Sequence, residues 1–146
     1  MERRRFRYLP HTADIAFVAY GDSFKALIEN SALATIGLMF DTKAIRKEKG
    51  TVKTARITER ARSREDALWF ILQDIVSKVD QKKLNAFSFK VNRLSEKEDA
   101  ITIRGCIFYK RVKRYVALLD VKAVTPHTLE VKRSGRGYRA HVLVDV

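Results

Sequence analysis

The sequence predicts one α+β domain over residues 1–146, with a largely antiparallel or mixed β-sheet and two main amphipathic helices. The length of 146 residues suits a single domain. Two segments carry apolar residues at helical spacing, whereas about seven others, clustered late in the chain, alternate or are rich in β-prone residues. The apolar fraction of 46% is that of an ordinary globular protein, which excludes wholesale disorder.

The first third of the chain predicts a strand, a long helix and a charged loop. Residues 14–20 (DIAFVAY) are apolar and β-prone and stop before a glycine, which is typical of a buried strand. Asp22 or Ser23 then caps a helix that runs to about Phe40, because apolar residues recur near a 3.6-residue period. The polar residues 42–50 predict a loop.

The middle of the chain predicts a half-exposed strand followed by a second helix. Residues 51–60 alternate weakly between apolar and polar side chains. Ser63 begins a start that resembles a capping box, with Asp66 where glutamate is usual. The apolar residues that follow recur at helical spacing: Leu68, Ile71, Leu72, Ile75 and Val79.

The remainder of the chain predicts sheet. Alternating or apolar segments occur at 87–91, 101–107, 121–124, 129–131 and 138–146. Residues 134–137 (SGRG) predict the turn before the last of them. The single cysteine, Cys106, lies in one of these segments and is interpreted as a small core residue.

The usual motifs of a self-sufficient enzyme are absent from the sequence. It contains no dinucleotide-binding or phosphate-binding glycine loop, no HExxH motif and no nucleophile elbow. A lone cysteine excludes a disulfide framework and a cysteine-based zinc site, and it favours the cytoplasm. We expect no signal peptide and no membrane span, because no long apolar run occurs. A metal-dependent hydrolase is the weaker alternative, since no convincing general base or nucleophile is present.

The charge of the chain favours acidic partners. Thirty Lys and Arg against 17 Asp and Glu give a net charge of +13. The basic residues form three clusters: Arg3, Arg4, Arg5 and Arg7; Lys110, Arg111, Lys113 and Arg114 beside Tyr109 and Tyr115; and Lys132, Arg133, Arg136 and Arg139. A direct RNA-binding module, with tRNA as its ligand, is therefore one hypothesis, and Lys110, Arg111, Lys113 and Arg114 are candidate contacts to RNA or a partner. The alternatives are a solvated loop and the charged coat of a thermophilic protein.

Four short segments in order are more specific than this charge. They are His11-Thr12-Ala13-Asp14, Leu38-Met39-Phe40-Asp41, Val121-Lys122-Ala123-Val124-Thr125, and the final Val144-Asp145-Val146. In order and spacing the whole chain resembles the archease family.

The resemblance implies an accessory protein rather than an enzyme. Archeases promote the guanylylation of a tRNA-splicing RNA ligase by GTP and metal, so that the ligase turns over repeatedly. A second implied partner is a tRNA cytosine-5 methyltransferase, on which the action is chaperone-like. The resemblance also implies a divalent cation (Ca²⁺, Mg²⁺ or Mn²⁺), with Asp14, Asp145 and the terminal residue Val146 as its ligands.

The residues alone are compatible with this metal site but do not require it. Asp14 begins a predicted strand, and Asp145 and Val146 end another. If those strands are neighbours, two side-chain carboxylates and the α-carboxylate converge, and such hard oxygen donors suit Ca²⁺, Mg²⁺ or Mn²⁺. The alternative is that each aspartate is a cap, a turn residue or a solvated strand end.

Five further residues are candidate functional contacts. His11 either orients Asp14 or belongs to the turn before the strand. Asp41 is interpreted as capping the end of the first helix, where a carboxylate opposes the helix dipole and so suggests a function. Lys122 pairs with a phosphate or a partner's acidic group, or else it lies on a solvated face. The same two interpretations apply to His127 and Glu130.

Overall fold

Two antiparallel sheets and three helices make up residues 4–9 and 14–146, the part of the chain described by a computed structural model. The elements are β1 (Phe6–Leu9), β2 (Ile15–Gly21), α1 (Phe24–Met39), α2 (Thr42–Lys47), β3 (Lys53–Ala61), α3 (Arg64–Lys82), β4 (Ala86–Lys97), β5 (Ala100–Tyr109), β6 (Ala123–Ser134) and β7 (Gly137–Asp145). The predicted α+β class is confirmed.

The strands are arranged as one sheet of four and one of three. The order in the larger sheet is β1-β2-β7-β6, and in the smaller sheet it is β3-β5-β4, with every pair antiparallel. The predicted turn joins β6 to β7, where Ser134 pairs with Gly137 and Gly135 has a φ of 60°. That left-handed conformation favours glycine over residues with a side chain.

Side-chain caps begin both long helices as the sequence predicts. The Ser23 hydroxyl accepts a hydrogen bond from the Ala26 amide at 3.1 Å, and the Ser63 hydroxyl accepts one from the Asp66 amide at 3.1 Å. Each bond satisfies one of the amides that a helix leaves unpaired in its first turn. The helix α1 ends before Phe40, which is close to the predicted boundary.

The loop expected after α1 contains the short helix α2, so this prediction was wrong. Asp41 does not cap the end of α1; it is the N-cap of α2, where its Oδ1 accepts a hydrogen bond from the Ala44 amide at 3.1 Å. At a helix N-terminus a carboxylate is favoured by the helix dipole. The electrostatic argument for a functional Asp41 therefore no longer holds.

The strand β1 was not predicted, because Arg7 and the arginines just before the strand concealed a short edge strand. It is fixed to α1 by Tyr8, whose hydroxyl donates a hydrogen bond to the Ala34 carbonyl at 2.8 Å. Burial raises the pKa of Tyr8 to about 12, so the hydroxyl keeps the proton that it donates. The two segments predicted on either side of Pro126 form one strand, β6, with an irregular register between Thr125 and Glu130. An edge strand tolerates proline at such an irregularity.

Cys106 does not belong to the core, contrary to the prediction. It lies opposite Arg56 and Lys90 on the neighbouring strands and is half-buried. Its thiol donates a hydrogen bond to the Asn92 Oδ1 at 3.2 Å. The core is one continuous cluster that takes residues from both sheets and all three helices, including Phe17, Leu27, Ile45, Ile71, Phe89 and Ile103.

Three side chains on one face of α3 form hydrogen bonds to the edge of β6, where a neighbouring strand would otherwise pair. We call Glu65, Trp69 and Gln73 the α3 stripe. Trp69 Nε1 donates a hydrogen bond to the Val124 carbonyl at 2.7 Å, and Gln73 Oε1 accepts one from the Val124 amide at 2.8 Å. One turn earlier, Glu65 Oε2 accepts a hydrogen bond from the Val131 amide at 3.3 Å. Residues spaced by four lie on the same helix face, so one stripe satisfies backbone groups at two places on the strand, Val124 and Val131.

The smaller sheet is tied to the helices in the same way. Glu29 Oε2 of α1 accepts a hydrogen bond from the Val91 amide of β4 at 2.9 Å. The Lys78 ammonium of α3 donates one to the Arg56 carbonyl of β3 at 2.9 Å. Both β3 and β4 are edge strands, so long polar side chains on the two long helices join the two sheets.

The α3 stripe gives a first prediction. We expect Gln73→Ala to lower the free energy of unfolding by about 1–2 kcal/mol, because the Val124 amide loses its acceptor in a partly buried position. Hydrogen exchange at Val124 should accelerate more than at Ala140, which lies within the sheet. Gln81→Ala, an exposed change on the same helix, is the matched control. Equal stability of the two variants would contradict the proposed role of the stripe.

Two carboxyl groups face each other between β3 and α3. Desolvation raises the pKa of Glu59, and the charge and hydrogen bond of Asp74 raise it further, while Lys78 partly offsets this rise. A carboxyl whose pKa is higher in the folded than in the unfolded protein favours folding at low pH. This stabilisation is lost as the pH rises from the ordinary pKa through the raised value.

A pH-dependent effect of Glu59→Gln is therefore expected. The amide removes the repulsion with Asp74 and keeps a hydrogen-bond donor, so the variant should have the higher thermal midpoint at neutral pH. Near the ordinary pKa of a carboxyl, roughly pH 4, the advantage should shrink. Thermal unfolding at both pH values checks this, with Glu98→Gln in the β4–β5 turn as control. An advantage of Glu59→Gln that does not change with pH would rule out the carboxyl pair as its cause.

Candidate functional site

The strands that carry the two candidate metal ligands are neighbours in the larger sheet. β2 pairs with β7 in a register that sets Ile15 opposite Val144. Asp14 directly precedes Ile15 and Asp145 directly follows Val144, so both aspartates lie at the same end of this strand pair. Asp14 is half-buried and Asp145 is exposed. The condition set by the sequence for convergence of these carboxylates is therefore met.

The last residues of β7 are held in place by β6 and the core. Asp145 pairs with Ala123, and its carbonyl accepts a hydrogen bond from the Lys122 amide at 2.9 Å. The side chain of Val146 is half-buried and packs against the core. A strand end fixed on both sides presents its carboxylates with little loss of conformational freedom on binding.

The donors at this sheet end are of one chemical kind. Asp14, Asp145 and the α-carboxylate of Val146 offer hard oxygens, which is the ligand class that Ca²⁺, Mg²⁺ and Mn²⁺ prefer. Across residues 4–9 and 14–146, no group of three or more His, Cys, Asp or Glu side chains is placed to hold a metal. Within the described part of the chain, the two aspartates therefore have no third acidic, histidine or cysteine side chain beside them.

Residues 115–122, which precede β6, run from the end of α1 to this sheet end. The backbone of this segment is bonded to the end of α1 and to the residues just after it. The Leu118 amide donates a hydrogen bond to the Met39 carbonyl at 2.8 Å, and the Val116 carbonyl accepts one from the Asp41 amide at 2.8 Å. The segment then continues to Lys122, whose side chain is exposed. Asp41 is therefore linked to the sheet end through this segment, while its carboxylate is engaged in capping α2.

The same segment exposes apolar side chains. Tyr115 is 86% exposed, Leu118 59% and Leu119 42%. They border a cavity of about 340 Å³ that is also lined by residues of α1 and α3. We call these three side chains the 115–119 patch. Contiguous exposed apolar surface beside polar residues is typical of a protein interaction site.

Two other candidate residues, Glu130 and His127, do not converge on the aspartates. Glu130 lies opposite His141, four positions before Asp145 on β7, and forms an exposed ion pair with Lys132 at 3.4 Å. His127 is exposed within the irregular part of β6. His11, together with the rest of residues 10–13, lies outside the described residues. Glu130 and His127 therefore add no donor to the sheet end.

The basic cluster at residues 110–114 contains one buried side chain and three exposed ones. Lys110 is buried, and its ammonium donates hydrogen bonds to the Arg46 and Glu48 carbonyls, both at 3.0 Å. A cation there satisfies carbonyls at the end of α2 and complements the helix dipole. Lys110 is thus engaged inside the protein and is not an available RNA contact. Arg111, Lys113 and Arg114 are exposed.

Sequence reasoning missed a basic and aromatic arrangement around Tyr138. The guanidinium carbons of Arg64 and Arg133 each lie 4.9 Å from the centre of its ring. Arg64 also pairs with Glu96 at 2.9 Å. Arg64 lies at the start of α3, far from the other two residues in the sequence, so no local pattern could have indicated this contact.

Membrane insertion through a helix finds no support in the fold. None of the helices within residues 4–9 and 14–146 has both the length and the apolar composition needed to cross a bilayer.

Comparison with known proteins identifies relatives over the whole chain. The model of the Archease protein family matches residues 6–146. The protein archease of Methanosarcina barkeri is 31% identical over 146 residues, which cover 98% of this chain and 97% of the relative. That of Archaeoglobus fulgidus is 29% identical over 142 residues, with coverage of 97% and 99%.

Two solved structures have a similar fold. The solution structure of Methanobacterium thermoautotrophicum protein 1598 has a TM-score of 0.81 at 25% identity and covers 97% of this chain and 99% of its own. The crystal structure of an archease from Thermotoga maritima, described as a possible chaperone, has a TM-score of 0.52 at 19% identity. It covers 100% of this chain and 98% of its own, and it supports the fold alone.

The structural role of Lys110 can be tested by measuring the stability of a variant that lacks its ammonium group. Lys110→Met keeps the aliphatic stem but leaves the Arg46 and Glu48 carbonyls without this donor, so the free energy of unfolding should fall by about 2 kcal/mol. Urea denaturation measures this. The control Lys113→Met changes an exposed side chain and should stay within about 0.5 kcal/mol of the wild type. Similar stability of the two variants would contradict the structural role of Lys110.

Proposed function

Because this chain belongs to the archease family, as its four motifs predicted, we propose that it is an accessory protein that activates a tRNA-splicing RNA ligase. The proposed action promotes guanylylation of the ligase's active-site histidine and so permits repeated turnover. The observation that carries the proposal is the β2–β7 register, which sets Ile15 opposite Val144 and so puts Asp14 and Asp145 at the same end of the strand pair. Carboxylates gathered at a fixed strand end suit a cation-dependent task.

A divalent cation, Ca²⁺, Mg²⁺ or Mn²⁺, is proposed as the cofactor. Asp14, Asp145 and the α-carboxylate of Val146 would hold it. When bound, the cation would offset the repulsion between these carboxylates and present a positive charge to anionic groups of the ligase or its nucleotide. The chain itself contributes the fixed backbone of Asp145, which is secured by the Lys122 amide and by its pairing with Ala123.

The 115–119 patch is proposed as the surface that docks on the ligase. It lies on the segment that leads directly to Lys122 and Asp145, so a partner seated on it would reach the carboxylates as well. Burial of exposed apolar side chains favours association, and the exposed Lys113 and Arg114 beside them favour an acidic partner surface. Lys122 is proposed to pair with a phosphate or an acidic group of the ligase.

Activation by this route is a shift in the ligase's conformational populations. The accessory protein binds the conformation that is competent for guanylylation more tightly than the other, and it forms no covalent intermediate of its own. A tRNA cytosine-5 methyltransferase is the other partner expected from the family, and the same docking surface would serve for it.

Multiple-turnover RNA ligation tests the proposal. With the cognate ligase, GTP and Mn²⁺, substoichiometric wild-type protein should convert a single round of ligation into repeated turnover. Asp14→Asn and Asp145→Asn keep the side-chain shape but remove the charge, and each should lower the stimulation by about tenfold or more. Asp99→Asn, exposed in the β4–β5 turn, should stimulate like the wild type.

The cation has a separate readout in the isolated protein. Titration calorimetry with Ca²⁺ and Mn²⁺ should show binding to the wild type and loss of binding in both aspartate variants. A tag after Val146 should weaken binding more than a tag before Met1, and equal affinities would exclude the α-carboxylate. Full stimulation by variants that no longer bind metal would exclude a role for the cation. Absence of stimulation by the wild type would refute the ligase as partner.

A further inference from the structure

A cavity of about 530 Å³ lies at the end of the larger sheet opposite the two aspartates. Six paired positions separate Ile15 from Gly21 along β2, so the two ends are about 20 Å apart. The cavity lies between the chain before β1, the end of β2, the start of α1 and the β6–β7 hairpin. Its lining includes Arg4, Arg5, Tyr20, Asn30, Ser134 and Tyr138.

Close backbone packing forms the walls of this cavity. A Cβ atom on Gly137 would overlap the Gly21 carbonyl oxygen, so only glycine lets the hairpin lie this close to the end of β2. The Asn30 side-chain amide donates a hydrogen bond to the Tyr20 carbonyl at 2.6 Å. The Tyr20 amide in turn donates one to the Arg5 carbonyl at 2.9 Å. These bonds fix the backbone from which Arg5 and Tyr20 project.

Arginine side chains dominate the charge around the cavity. Arg4 and Arg5 are exposed at its edge, and Asp22 is the acidic residue among the described residues that line it. The hairpin that forms one wall carries a further exposed arginine, Arg136, at its turn. Guanidinium groups bind phosphate oxygens with two parallel hydrogen bonds, so this surface suits a chain of phosphates.

Tyr138 gives the cavity an aromatic wall, whereas the side chain of Tyr20 projects from the opposite face of the sheet, because the two residues are one position out of step in the β2–β7 register. The ring of Tyr138 meets that of Phe24 at 6.3 Å in an edge-on arrangement. The guanidinium carbons of Arg64 and Arg133 each lie 4.9 Å from its centre, and both arginines line a neighbouring cavity instead of this one. The fixed ring therefore offers flat apolar surface to a planar ligand in this cavity at little entropic cost.

We propose that this cavity binds a nucleotide of single-stranded RNA, with the base against Tyr138 and the adjoining phosphates on the arginines. The volume falls within the range of ligand pockets that hold small planar molecules. Aromatic surface combined with a basic track is the usual means of binding single strands. An acidic peptide would use the arginines alone and leave the aromatic wall without a partner. This binding needs no ligase and is therefore independent of the function proposed above.

A charge placed on the cavity wall gives the sharpest test. Ala26 lines the cavity at the third position of α1, where glutamate completes a capping box with Ser23, so Ala26→Glu adds an anion without weakening the helix. Fluorescence anisotropy with a labelled RNA of about ten nucleotides should show binding about tenfold weaker than that of the wild type. Ala26→Gln has the same shape without the charge and should bind within about twofold of the wild type.

Removal of the arginines gives a second measure. Arg4→Gln with Arg5→Gln should reduce the slope of log affinity against log salt by about 1.4, the value for two lost contacts to single-stranded phosphates. The control pair Lys90→Gln and Arg104→Gln removes the same charge from exposed positions on the other sheet and should leave the slope nearly unchanged. Thermal unfolding of each variant confirms that it folds.

Four outcomes would overturn the proposal. One is equal loss of affinity in the two double variants, which would mean that net charge alone binds RNA. Another is competition by polyglutamate as strong as that by unlabelled RNA, which would indicate a site for acidic peptides. A third is binding of a mononucleotide as tight as that of the oligonucleotide, and the last is absence of RNA binding by the wild type at low salt.

Discussion

The hydrogen bonds from one stripe of α3 to the edge of β6 are the constraint on which both ends of the larger sheet depend. Trp69 and Gln73 satisfy the two backbone groups of Val124, the residue after Ala123, and Ala123 pairs with Asp145. Glu65 accepts a hydrogen bond from the Val131 amide, close to the β6–β7 hairpin that lines the 530 Å³ cavity. One rigid helix thus fixes the position of the carboxylates and of the basic hairpin at the same time, although the two lie about 20 Å apart.

The two ends of β2 and β7 carry opposite chemistry. Carboxylates gather where β2 begins and β7 ends, whereas arginines and tyrosines gather where β2 ends and β7 begins. The net charge of +13 is therefore not a uniform coat. The field draws an anionic partner to the arginine-rich end. At the end with the two aspartates, the exposed Lys122 and the proposed cation would lessen the repulsion of such a partner.

The sequence predicts the parts of this fold that local physics determines. Ser23 and Ser63 cap their helices as expected because capping needs only neighbours in the chain. The helix α2 was not predicted, because Asp41 was assigned to the end of the helix before it. Cys106 was wrongly assigned to the core, because alternation along a strand does not show which face of the sheet is buried. The two aspartates were singled out from the family resemblance, but their placement at one sheet end depends on strand register. The cavity between the end of β2 and the β6–β7 hairpin was not predicted, because its lining comes from segments that are distant in sequence.

The backbone groups of the edge strands affect how readily two copies of the protein could pair. Of the four edge strands among the described residues, β6, β3 and β4 have backbone groups already engaged by side chains of α1 or α3. The fourth, β1, is only four residues long and carries Arg7. A short charged edge is a poor template for a further strand, and each backbone group that a helix side chain engages is lost to a strand of another molecule. Edge-to-edge pairing of two copies would therefore have to displace these side chains.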